Sequence, residues 1–240
     1  MSMNRRAGRR PGRGASSGIV WTPKAITGLK LWLRADLGVT IGTGVSAWAD
    51  QSGNSNNVTQ GTGSKQPTVN ATDAAFNNKT TLSFAAASAQ CLQGTFGVSV
   101  AVPYTLFIVG TVDRVGACSW FDGSTVGGRA ETYTDGGSDK MYAGTAFISA
   151  ADVSTSPRVM TYEMNGASSK IYISSNTSAV TGDPGSNTLA GATIGAAFDQ
   201  LSDALNGKVA EVVLYNSILS AAQQATVRAY LGNRYGIAIT

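Results

Sequence analysis

The feature that most constrains this chain is a series of short segments in which apolar and polar residues alternate, separated by clusters of Gly, Asn, Ser and Asp. Leu29-Lys30-Leu31-Trp32-Leu33-Arg34 alternates as a half-buried strand does. Val45-Ser46-Ala47-Trp48, Thr80-Thr81-Leu82-Ser83-Phe84, Ala192-Thr193-Ile194-Gly195 and Lys208 to Tyr215 read as further strands. Tyr104 to Val112 is an almost continuous apolar run, which predicts a strand buried on both faces. Arg158 to Met164 and Lys170 to Ile173 flank Asn165-Gly166-Ala167-Ser168-Ser169, a hairpin with a Gly-containing loop. The chain holds 29 glycines, which suits many turns. No strand–helix–strand rhythm interrupts the pattern, so the elements predict an antiparallel sandwich.

One helix is predicted, at the C-terminal end. Ser220 can cap it and Gln223, three residues on, completes a capping box. Val227, Tyr230, Leu231 and Arg234 follow at helical spacing, and Gly236 is the stop. The apolar stripe is narrow, which places the helix on the surface or edge of the sandwich.

Charge divides the chain in two. Residues 1–14 carry Arg5, Arg6, Arg9, Arg10 and Arg13 and no acid, whereas the other 226 residues carry 13 basic and 14 acidic side chains. Residues 1–20 therefore read as a flexible basic Arg/Gly arm unable to bury apolar surface, and residues 21–240 as one nearly neutral domain. The arginines can dock on an acidic protein surface; phosphate neutralisation on nucleic acid ranks behind that, because the body adds no basic patch. No apolar run reaches the roughly 18 residues of a membrane span. No apolar stretch follows the arginines as a secretory leader requires, so the chain is expected to act where it is made or as part of a larger assembly.

The residue inventory argues against catalysis. The chain has no histidine, which removes Ser-His-Asp and Cys-His nucleophile systems and His-based zinc sites. Glu131, Glu163 and Glu211 are the only glutamates, and none has an acid two residues away. The acid pairs Asp135/Asp139 and Asp199/Asp203 lie in turn-like contexts. Asp50, Ser52, Asn54 and Asn56 alternate in a polar loop as calcium ligands do, but the distal bidentate Glu is missing and an Asx-rich turn is the favoured reading. No cofactor or metal is expected; if there were one, Asp50, Ser52 and Asn54 are where to look. Trp32 and Trp48 fall inside strand patterns and are expected in the core. Trp120 and Asp122, in Cys118-Ser119-Trp120-Phe121-Asp122-Gly123, form a candidate ligand loop. Cys91 and Cys118 lack the spacing of a metal or redox motif, and their pairing is open.

Four segments resemble the LamG-like jelly rolls of the concanavalin A-like lectin/glucanase superfamily, of the kind found in phage virion proteins. They are Leu31-Trp32-Leu33-Arg34-Ala35-Asp36, the loop Trp48-Ala49-Asp50-Gln51-Ser52-Gly53-Asn54, the hairpin through Asn165-Gly166, and Gly207 to Asn216 with Tyr230-Leu231-Gly232-Asn233-Arg234-Tyr235-Gly236-Ile237. The resemblance covers about residues 28–238 and implies an all-β, two-sheet antiparallel jelly-roll sandwich. It leaves the activity open, since members include hydrolases, lectins and structural modules. Catalytic members carry carboxylates at alternate strand positions, a pattern missing here. The expectation is a non-catalytic structural virion protein, a phage capsid decoration or head/tail accessory protein assembled in the host cytoplasm. The arm would anchor it to virion proteins such as the major capsid protein, and the neutral body would permit a homo-oligomer. The alternative is a carbohydrate-binding module for host surface glycan. If the arm is the anchor, deleting residues 1–18 abolishes attachment of the body to its particle, and unchanged occupancy would remove that role.

Overall fold

The computed structural model describes residues 21–113, 116–145, 147–151 and 154–240. The arm, with Arg5, Arg6, Arg9, Arg10 and Arg13, lies outside the described residues. Strands are numbered along the chain. One sheet runs β15 (Val180–Gly182), β14 (Ser169–Ile173), β13 (Arg158–Met164), β8 (Tyr104–Val112), β17 (Gly207–Tyr215), β6 (Lys79–Phe84), β5 (Thr68–Asp73), with β1 (Leu29–Arg34) also paired to β17. The other runs β12 (Ile148–Ala151), β11 (Ser138–Tyr142), β10 (Glu131–Asp135), β9 (Cys118–Asp122), β16 (Leu189–Ile194), β7 (Leu92–Val100), β4 (Val58–Thr59), β3 (Val45–Trp48), β2 (Val39–Ile41). Pairing within both sheets is antiparallel. This is the antiparallel sandwich that the strand pattern predicts, in the two-sheet jelly-roll form that the resemblance implies.

The core between the sheets draws alternate residues from both. Leu31 and Leu33 of β1, Leu106 and Ile108 of β8, and Val212 and Leu214 of β17 meet Trp48, Leu92, Trp120, Met141 and Ile194. Trp120 lies against Gly110, where a Cβ would stand 2.8 Å from the indole and 2.6 Å from the Lys208 carbonyl oxygen. Only glycine leaves room there for an indole from the opposite sheet.

A second core covers the far face of the eight-stranded sheet. Trp32, Phe107, Val109, Ala210, Val213 and Tyr215 pack with Val227, Leu231 and Tyr235 of the helix α1 (Ala221–Tyr235). Ser220 and Gln223 form the predicted capping box, and Gly236 ends the helix with φ 70°. The narrow stripe thus seats on the middle of a sheet face. β8 is buried along its whole length because of this double covering. The register slips between Val209 and Glu211 of β17, and Ala210 and Glu211 both meet the helix side: Tyr235 Oη donates to Ala210 O (3.4 Å) and to Glu211 Oε2 (2.8 Å). Glu211 is fully buried and also accepts from Trp32 Nε1 (2.7 Å) and Tyr230 Oη (3.0 Å). Burial raises its carboxyl above the usual carboxylate range, against the pull of these donors and Arg234.

Trp32, Tyr230 and Tyr235 all spend a polar group on this one carboxylate. Glu211→Leu is expected to destabilise the fold by about 3–5 kcal/mol, as loss of one side of a buried polar network does. Glu211→Gln, which keeps an acceptor, loses less; urea unfolding followed by tryptophan fluorescence measures both.

Candidate functional site

Among the described residues, no α-helix covers the outer face of the nine-stranded sheet. Its half toward the β12 edge is built by β9, β10 and β11. Thr132 pairs with Phe121 but Tyr133 with Ser119, so β9 holds an extra residue. Trp120 and Phe121 both enter the core as a result, and Asp122 turns to the outer face. There Asp122 meets Arg129 (Oδ2 to Nε, 2.9 Å), and the same guanidinium binds Glu131 through Nη2. The Asp122 carboxylate also accepts from the amides of Gly123 (2.7 Å) and Phe198 (3.0 Å). Asp122 is 0% and Glu131 1% exposed. Oε1 of Glu131 has no hydrogen-bond partner among the described residues. Burial pushes Glu131 up to about 7, the nearby Asp122 charge adds to this, and Arg129 opposes it. Burial likewise raises Asp122.

Aromatic rings surround this ion cluster. The Arg129 guanidinium stands over Phe198 (5.0 Å) and Tyr142 (5.6 Å). Tyr142 and Tyr133 both contact Phe147, at 5.0 and 5.1 Å between centroids. Lys140 lies over Tyr133 (5.6 Å) and pairs with Asp135 (2.9 Å). Phe147 is 51% exposed. On the other side, Gln93 of β7 donates to Thr193 Oγ1 (2.8 Å) and Phe198 O (2.7 Å), and Gln200 donates to Gln93 Oε1 (2.9 Å). These bonds pin the segment carrying Phe198 and Gln200 against the sheet.

The surface therefore offers the exposed ring of Phe147 beside the half-buried Tyr142, backed by the buried Tyr133 and edged by Lys140, Asp135 and Arg129, with two carboxylates beneath. Such a surface can stack the apolar face of a sugar ring and bond its hydroxyls. Hydrolysis of a glycosidic bond needs two carboxyl groups flanking that bond. Here both are buried and bridged by one guanidinium.

The sequence-predicted residues are scattered. Trp120 and Asp122 do not form a ligand loop: both stand in strand β9 and are fully buried. Trp120 Nε1 donates to Asp139 Oδ1 (3.3 Å) and its ring lies under the Arg158 guanidinium (5.1 Å), deep in the sandwich. The bulge separates it from Asp122, which alone of the two reaches the outer face. Asp50, Ser52 and Asn54 form a hydrogen-bonded turn. Asp50 accepts from Trp32 N (2.9 Å), Ser52 N (2.8 Å), Ser52 Oγ (2.6 Å) and Asn56 N (3.1 Å), and Asn54 Nδ2 donates to Leu29 O (2.9 Å). Its oxygens tie the loop to β1. Among the described residues no group of three or more His, Cys, Asp or Glu could hold a metal. Cys91 and Cys118 are both buried and unpaired. Trp32 and Trp48 are in the cores as expected. Glu163 accepts from Tyr172 Oη (2.9 Å) and Gln224 Nε2 (2.6 Å) beneath the helix. Asp135 and Asp139 flank a hairpin turn, Asp135 on Lys140 and Asp139 on Trp120 and Arg158. No described helix is long and apolar enough to cross a membrane.

Sequence reasoning missed Arg129, Tyr133, Tyr142 and Phe147, and the Asp122–Glu131 pairing. The signal that could have found the hairpin is Gly136-Gly137 between two alternating runs; both glycines have positive φ (58° and 77°) and Asp135 pairs with Ser138 across them.

The fold defined here is a jelly-roll, lectin-like β-sandwich, and solved structures share it. Domain 4 of AbnA, an extracellular GH43 arabinanase from Geobacillus stearothermophilus solved with arabinotriose, superposes with a TM-score of 0.62 at 12% identity, covering 83% of this chain and 98% of that one. The binding domain of Paraclostridial Mosquitocidal Protein 1 superposes at 0.60 with 11% identity, and botulinum neurotoxin type C, whose cell entry depends on two ganglioside molecules, at 0.61 with 11%. These two cover 86% and 85% of this chain, which spans only about half of each, 52% and 51%. No family model matches the sequence, and a search of curated proteins found no match.

Glu131 is expected to titrate near 7 by carboxyl carbon NMR, and Asp122→Asn to lower that midpoint. Because its pKa is raised in the fold, the contribution of Glu131 to stability is fully present below about 4.5 and is lost as pH rises through 7. Glu131→Gln should remove that fall in a pH series of urea midpoints.

Proposed function

We propose that this chain is a glycan-binding module that holds saccharide on the outer face of its nine-stranded sheet, and that it binds without cleaving. The observation that carries this reading is the Tyr133–Phe147–Tyr142 ring cluster on the sheet face that no described α-helix covers. Rings presented beside Lys140, Asp135 and Arg129 match the two sides of a sugar, its C–H face and its hydroxyl edge. The structural similarity to domain 4 of the arabinanase, a domain solved with a bound trisaccharide, supports it. Binding without cleavage rests on the burial of Asp122 and Glu131 beneath Arg129.

The virion reading has the LamG-like resemblance and the arginine arm behind it. The arm lies outside the described residues, and no contact within the sandwich favours anchoring to a capsid, so glycan binding takes precedence. A glycan-binding module can still be carried on a larger particle, and the arm-deletion experiment tests that separately.

Titration calorimetry against a panel of neutral oligosaccharides, including arabinotriose, is expected to give saturable binding. Tyr142→Ala and Phe147→Ala should each weaken it roughly threefold to tenfold, the loss of about 0.5–1.5 kcal/mol of ring contact. No binding at millimolar sugar, or unchanged binding in both variants, would sink the proposal. Product release that Glu131→Gln or Asp122→Asn abolishes would make the chain a hydrolase.

A further inference from the structure

A cavity of about 530 Å³ lies on the opposite side of the molecule, where helix α1 meets the edge of β6. The volume falls within the ~300–1,000 Å³ of small-molecule sites. Trp21 and Tyr230 line it as an aromatic pair, centroids 5.2 Å apart and tilted by 56°. The amide side chains of Asn77 and Asn233 and the cations Lys79 and Arg234 complete the lining. Hence one wall is two apolar ring surfaces set at an angle to each other, and the rest can donate and accept hydrogen bonds.

The charges around it do not balance. Arg234 is held by Asp36 (2.7 Å) and faces Glu211 (3.7 Å). Asp36 is shared with Arg34 (2.7 Å). Lys79 has no ion pair among the described residues. Asp73, opposite it in the ladder, instead accepts at Oδ2 from Lys208 (2.9 Å) and Thr81 (3.0 Å). Four cations, Arg34, Lys79, Lys208 and Arg234, thus stand with three carboxylates, Asp36, Asp73 and Glu211, the last fully buried in its own network. An anion inside the cavity gains attraction from Lys79 at the cost of little desolvation, because Lys79 is only partly buried. The five arginines of the arm, which joins the domain at Trp21, would meet like charge here and are poor occupants.

We propose that this cavity is a second saccharide site, specific for a sugar ring bearing a carboxylate. The ring lies on Trp21 and Tyr230, the carboxylate on Lys79, and the hydroxyls on Asn77 and Asn233. The site uses none of the residues of the nine-stranded face, so the two can succeed or fail independently.

The test uses the full chain, with glucuronic acid and N-acetylneuraminic acid as acidic probes and glucose as the neutral one. Binding is read by calorimetry and by the Trp21 indole NMR signal. Acidic sugars are expected to bind at least tenfold tighter than glucose and to shift that signal. Lys79→Met should erase the preference, and Thr226→Trp, an exposed helix position on the rim, should block the cavity. Phe147→Ala should leave acidic-sugar binding intact. Equal affinity for acidic and neutral sugars, or unchanged acidic-sugar binding in folded Lys79→Met and Thr226→Trp, would overturn the proposal. Loss of acidic-sugar binding in Phe147→Ala alone would assign that binding to the other face and overturn it as well.

Discussion

Glu211 is a carboxylate with no exposure to water, and the eight-stranded sheet is organised around it. Desolvation would make such a group costly if it stood alone. Trp32 from β1 and Tyr230 and Tyr235 from α1 supply the donors that reduce that cost. The bulge in β17 sets Glu211 toward the helix without taking Val212 and Leu214 out of the core between the sheets. β17, α1 and β1 are thereby joined at one point, with apolar contacts from Val213, Val227 and Leu231 around it.

This arrangement makes the molecule asymmetric. The eight-stranded sheet is covered on both faces, by the other sheet and by the helix. The nine-stranded sheet is covered on one. Among the described residues, a face covered only by the segment of Phe198 and Gln200 must carry polar groups or bury its own charges locally, and this one does both. Arg129 bridges and partly offsets the charges of Asp122 and Glu131 beneath Tyr142 and Phe198, while Phe147 and Lys140 remain at the surface. A binding surface fits here because the fold's own stability does not require this face.

Much of the fold is legible along the chain. β1, β8, the hairpin of β13 and β14, β17 and the capped helix all announce themselves through period, turn residues or the Ser220–Gln223 box. The strands β9 to β12 do not, because Ser119, Thr132, Thr134 and Asp139 blur the alternation, and these are the strands that hold the candidate site. Polar residues at core-facing positions such as Thr132, Thr134 and Asp139 erase the hydrophobic signal that identifies a strand, so these strands are harder to read than β8 or β17. Scanning for acids two residues apart also missed Asp122 and Glu131, which lie nine positions apart and come together only across neighbouring strands.

The amino-acid sequence by itself determined the antiparallel sandwich, the position and caps of the helix, the core roles of Trp32 and Trp48, and the concentration of excess positive charge in residues 1–20. Period, turn chemistry and charge are local properties, and each is complete within a few neighbouring residues. The tertiary structure alone decided that Trp120 is core while Asp122 is not, that Arg129 joins two distant carboxylates, and that Trp21 and Tyr230 wall one cavity. Those depend on strand register, on a single extra residue in β9 and on contacts between segments as much as 209 residues apart in the chain. No local pattern encodes them, because the energy that selects them comes from packing the whole sandwich.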